Sequence, residues 1–144
     1  MTREEISALF ERRAESWRRR DAAALAADHS PDCVVVSPTG GVLEGREDIQ
    51  RIYQIWFKAF PDITLSSVDM LIDGDRAVLV FNISGTHAGD FFGLAASGRH
   101  LDATCAFLYT LSADGMIVHE RRVLDFTGVL VQVGVLRAKP AAGA

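Results

Sequence analysis

The sequence predicts an α+β fold, on three observations. Apolar residues recur at helical spacing only before Pro61. After it, they recur with period two in four long runs. Two turn signals, Asp73-Gly74-Asp75 and Ser112-Ala113-Asp114-Gly115, join those runs in pairs as hairpins. Helices first and strands second argue for helices packed on one face of a curved antiparallel sheet. Long strands curling round an aromatic-rich helix leave a pocket between them.

The elements follow in order. Thr2 with Glu5 reads as a capping box. Behind it, Ile6, Leu9, Phe10, Arg13 and Trp17 form the inner stripe of an amphipathic helix. Asp21 caps a short helix over Ala22–Asp28, and Cys33–Ser37 is a β-branched strand ended by Pro38 and Gly40-Gly41. Ile49, Ile52, Tyr53, Trp56 and Phe60 mark the strongest helix, from about Arg46 to Phe60, which Pro61 stops. The strands are expected at Ile63–Ile72, Arg76–His87, Arg99–Leu111 and Met116–Phe126, with a helical turn in Thr127–Leu136. Residues 1–138 are expected to form one domain and 139–144 a disordered tail.

Composition excludes several classes. A net charge of -4 leaves no general basic field for nucleic acid. The one basic run, Arg18-Arg19-Arg20, reads as a solvated helix end. No apolar run approaches the roughly 18 residues of a membrane span, and the charged N-terminus is expected to carry no signal segment. Cys33 and Cys105 have no metal or redox spacing and are expected as reduced, buried thiols in a cytoplasmic protein. His29, His87, His100 and His119 show no metal-ligand spacing either.

Three stretches, in order, carry a resemblance: "GREDIQRIYQIWFKAFPD" (Gly45–Asp62), "GTHAGDFFGLAASGR" (Gly85–Arg99) and "DGMIVHERRVLDFTGVLVQVG" (Asp114–Gly134). Together they resemble the SnoaL-like polyketide cyclase family of the nuclear transport factor 2-like superfamily. The resemblance implies a cone-shaped sheet with the N-terminal helices on its concave face, a blind apolar cavity and a homodimer. It implies ring closure by an intramolecular aldol step, with no metal and no organic cofactor, on a hydrophobic small molecule. It also implies that a carboxylate matching Asp125 acts as acid/base. Ala95-Ala96-Ser97 stands where the family often has Pro-Pro-Thr, and Arg121 where it often has an aromatic residue.

Alternation along "IVHERRVLDF" puts His119, Arg121, Val123 and Asp125 on one face, and Val118, Glu120, Arg122 and Leu124 on the other. The family pattern places Asp125 inward, where poor solvation would raise its pKa toward that of a useful base. The alternative is a cap for the turn at Thr127-Gly128. His87 is expected at the cavity rim, as a proton partner of Asp125 or as a loop anchor. Arg121 and His119, on the face of Asp125, are expected to meet substrate, Arg121 through a carboxylate, phenolate or enolate oxygen unless an ion pair takes it. Trp17, Tyr53, Trp56, Phe60, Cys105 and Phe107 form an expected wall, and Phe91 and Phe92 an apolar lid on a glycine hinge. The reading is a cofactor-independent acid/base enzyme on a bulky, cyclic or aromatic carbonyl compound, by default an aldol cyclase. A retro-aldol-type lyase, an isomerase, an epoxide hydrolase or a non-catalytic ligand-binding or dimerisation module remain alternatives.

Overall fold

The computed structural model describes residues 1–137; the tail expected at 139–144 lies outside the described residues. Four helices and six strands follow one another as α1 (Arg3–Arg18), α2 (Ala22–Ala27), β1 (His29–Ser37), β2 (Gly41–Glu44), α3 (Gly45–Ala59), β3 (Thr64–Asp73), β4 (Arg76–Thr86), β5 (His100–Leu111), β6 (Ile117–Leu124) and α4 (Phe126–Gln132). The α+β class and the two hairpins stand as expected. The capping box forms: Glu5 N–H donates to Thr2 Oγ1 at 3.1 Å and Thr2 N–H to Glu5 Oε2 at 2.7 Å.

The strands lie in the order β2-β1-β6-β5-β4-β3. One pair departs from an all-antiparallel sheet. β1 runs parallel to β6, with Val34 opposite His119 and Val36 opposite Arg121. Its partner lies more than eighty residues away, so no local pattern could announce it. β2, a four-residue strand after Gly40, covers the outer edge of β1.

The helices pack on the concave face. Ile6, Leu9, Phe10 and Trp17 of α1 and Ile49, Ile52, Tyr53 and Trp56 of α3 meet Ala77, Phe81, Ile83, Cys105, Phe107 and Tyr109 of the sheet. The other edge, β3, is largely exposed and bulges at Val68, between Ser67 opposite Phe81 and Asp69 opposite Val80. A bulge bends its strand, and a cleft lies between this edge and α1.

Candidate functional site

The geometry of β6 decides which residues reach the interior. Directly opposed residues of an antiparallel pair share a face. Cys105 faces Leu124, Phe107 faces Arg122 and Tyr109 faces Glu120. Cys105, Phe107 and Tyr109 are buried on the concave side, so Leu124, Arg122 and Glu120 are carried there with them. His119, Arg121 and Val123 therefore stand on the outer face, exposed. This corrects the placement of His119 and Arg121 in the cavity.

Asp125 is likewise corrected. It is exposed and caps α4, accepting a hydrogen bond from Gly128 N–H at 2.9 Å. Its carboxylate is committed to a helix end rather than to the cone interior. Among the described residues, no carboxylate borders the inner cavity.

His87 is fully buried but borders neither cavity. Its Nδ1 accepts from Ser97 N–H at 3.3 Å and lies 2.9 Å from Ser97 Oγ, while its ring lies against Phe60 with centroids 5.5 Å apart. Phe91, 0% exposed, packs against Trp56, Phe60 and His87, and its N–H and C=O pair with Leu94 at 2.9 Å. Ala88 and Gly89 N–H both bond Ala59 C=O. The loop is thus tied into the core rather than hinged over a mouth. Phe92, at φ 47° and 41% exposed, borders neither cavity. Phe60 is core, stacked on Trp56.

The remaining wall residues do converge. Trp17, Tyr53, Trp56, Cys105 and Phe107 border a narrow inner cavity, with Ser37, Pro38, Thr39, Phe81, Ile83, Leu124 and Arg122. Its free volume is about 30 Å³, room for one or two waters. The neighbouring cleft between α1 and β3 offers about 420 Å³. Trp17, Phe81 and Phe107 border both spaces and form the partition between them.

Among the described residues, Arg122 is the one charged residue on the inner cavity. Its guanidinium lies over the rings of Tyr53, at 4.7 Å, and Phe107, at 5.1 Å. Its Nε donates to Glu120 Oε1 at 2.6 Å, and its buried Nη2 has no acceptor among the described residues. Glu120 Oε2 lies 2.6 Å from His29 Nε2, and His29 Nδ1 donates to Leu25 C=O at 3.1 Å. Arg13 closes the cluster by donating to Leu25 C=O, Asp28 and the Tyr53 hydroxyl.

Burial pushes the Glu120 carboxyl up, but Arg122 and His29 outweigh it and hold it below the usual range. Burial also works against the charge of Arg122, yet Glu120 beside it holds its pKa above the ordinary value. Burial pushes the Cys105 thiol up to about 12, so no thiolate forms there near neutrality. Among the described residues, no three His, Cys, Asp or Glu side chains gather as a metal set, and no helix is long and apolar enough to cross a membrane.

Sequence reasoning passed over His29, Glu120 and Arg122. One signal was present: Arg13 sits in the apolar stripe of α1, and a buried arginine requires buried partners.

The sequence profile of the SnoaL-like polyketide cyclase family matches residues 8–133. No curated protein matches the chain. Among solved structures, AclR of Streptomyces galilaeus, described as a candidate hydroxylase, is 27% identical, with a TM-score of 0.84 over 96% of this chain and 87% of that one. IdmH of Streptomyces antibioticus, described as a candidate polyketide cyclase, is 26% identical, with a TM-score of 0.74 over 90% and 99%. TsrD of Streptomyces laurentii shares the fold at 24% identity, with a TM-score of 0.83 over 94% and 99%. With the profile spanning nearly every element from α1 to α4, this chain belongs to the SnoaL-like polyketide cyclase family.

Proposed function

We propose that the chain is a small-molecule enzyme that holds a carbonyl or enol oxygen of an apolar, ring-bearing substrate against Arg122. The observation that carries this reading is the unpartnered Nη2 of Arg122 beside an aromatic cavity. A buried guanidinium donor without an acceptor is costly. It becomes useful when negative charge develops on a substrate oxygen, because a donor already fixed in place needs no reorganisation. An aldol ring closure develops such charge at the enolate and alkoxide oxygens. The oxygens of Glu120 are engaged by His29 and Arg122, so Glu120 orients the guanidinium rather than meeting substrate.

Family membership supports cyclisation as the default, and the names of IdmH and AclR span cyclase and hydroxylase chemistry. A panel of aromatic poly-carbonyl esters and epoxides, followed by product mass, separates the reactions. Aldol addition leaves the mass unchanged and loses one water when dehydration follows, whereas hydrolysis adds water and hydroxylation adds oxygen. Arg122→Met should lower turnover about 10²–10³-fold; activity within about threefold of wild type defeats the reading. The lack of a cavity carboxylate among the described residues favours one rival, a non-catalytic carrier. A carrier would return every bound ligand unchanged.

The same proposal includes a cytoplasmic location, which the free thiols of Cys33 and Cys105 support. It also pairs two copies through the outer face of the sheet. There the cross-strand rows Leu71–Val78–Leu108 and Val80–Ala106–Val123 place apolar side chains side by side, with Leu71 59% and Val123 51% exposed. Such a stripe is more apolar than a solvated face needs. Light scattering at micromolar concentration tests this, and a mass near 15.7 kDa rejects it.

A further inference from the structure

The buried cluster around Arg122 contains a proton that its hydrogen bonds require. His29 Nδ1 faces the Leu25 carbonyl oxygen at 3.1 Å, and a carbonyl only accepts, so Nδ1 carries hydrogen. A neutral ring would then present a bare Nε2 to Glu120 Oε2, 2.6 Å away. Two lone pairs at that distance repel unless one proton lies between them. Burial, with Arg13 and Arg122 beside it, lowers the His29 pKa and Glu120 offsets this only in part, but the short contact is the stronger indication: His29 and Glu120 share one proton and are together neutral. Nearby, Asp28 is shared between Arg13 at 3.1 Å and the exposed Arg12 at 2.9 Å, and Tyr53, Tyr109 and Cys105 are held in their neutral forms by burial. The charge of Arg122 is left over. A fully buried carboxylate faces it and still does not cancel it, because that carboxylate already shares a proton with its histidine.

We infer that the site takes an anion: an aromatic molecule presenting one carboxylate, phenolate or enolate oxygen to Arg122 Nη2, its ring body directed across Trp17 and Phe107 toward the cleft between α1 and β3. The orphaned nitrogen supplies the donor and the uncompensated charge selects the ionised form. The 30 Å³ inner cavity has no room for rings, so the ring body reaches the 420 Å³ cleft only by displacing the partition of Trp17, Phe81 and Phe107. The inference rests on the assignment of Arg122 as the oxygen-binding group and adds the charge state of what it binds.

Paired acids and amides of matched shape test it: benzoate against benzamide, and 2-naphthoate against 2-naphthamide. Binding is followed at constant ionic strength by the fluorescence of Trp17 and Trp56, both on the cavity. Wild-type protein should prefer each acid by at least about tenfold. Arg122→Met should remove that preference, and Arg121→Met, on the outer face, should keep it. Should Arg122→Met unfold, Glu120→Gln with Arg122→Met leaves His29 partnered and gives the same reading. Equal affinity for acid and amide in wild type overturns the anion assignment while leaving a neutral carbonyl at Arg122 possible. A preference for acids that survives loss of Arg122 overturns both assignments. Failure of every acid to bind overturns the anion site.

Discussion

Replacing Glu120 tests the shared proton through stability. Glu120→Ala removes the acceptor of two charge-assisted contacts, the 2.6 Å bonds to Arg122 Nε and His29 Nε2, in a fully buried setting. Stripping one partner from a buried ionic cluster costs about 3–5 kcal/mol. Glu120→Gln differs in kind. The glutamine oxygen can accept from Arg122 Nε, and its NH₂ can donate to the Nε2 that a neutral His29 leaves bare. If the wild-type pair shares a proton, this exchange loses one negative charge and one proton together, and the net charge of the cluster is unchanged. The cost should then be about 1 kcal/mol, that of imperfect hydrogen-bond geometry. Urea unfolding at pH 7, compared at an unchanged slope, reads the two variants side by side. In a chain of this length the alanine variant should lose roughly 10 °C in melting temperature and the glutamine variant about 3 °C. A glutamine variant as unstable as the alanine one would show that Glu120 carries a full charge against a neutral histidine. The surplus charge on Arg122 would then vanish, and with it the argument for an anion.

Further outcomes follow from the loops and termini. Asp125→Asn should leave turnover within about threefold, since a true acid/base would lose roughly 10²–10⁴-fold; Asp125→Ala should cost about 1 kcal/mol through the lost cap of α4. Gly89→Ala should destabilise by about 2–3 kcal/mol, because its Cβ would collide with the Lys58 carbonyl oxygen. In the wild type, hydrogen exchange should find the Phe91 and Leu94 amides as protected as those of β4, and fast exchange there would restore a mobile lid. Native Cys105 should resist iodoacetamide at pH 8 and react in urea. Because burial raises its pKa from 9.0 to about 12, the protonated thiol stabilises the fold below pH 9.0, and that contribution fades as pH rises toward 12. Rapid labelling of the native thiol would contradict its burial.

Local chemistry alone determines much of this protein's fold. The stripe Ile6, Leu9, Phe10, Trp17 can face inward only as a helix, Pro61 has no N–H with which to continue α3, and Asp73-Gly74-Asp75 turns β3 into β4. The cavity wall of Trp17, Tyr53, Trp56, Cys105 and Phe107 was legible for the same reason, since each lies on an apolar stripe. The site's charged residues were not. Along "HERRVLD" both faces of β6 carry polar groups, so alternation sorts the residues into two sets without saying which set faces in. That choice belongs to the register with β5, where Phe107 and Tyr109 draw Arg122 and Glu120 into the cone and leave Arg121 and His119 outside. The partnership of Glu120 with His29, ninety-one positions away, depends on the parallel pairing of β1 with β6, a long-range contact that no window of sequence contains.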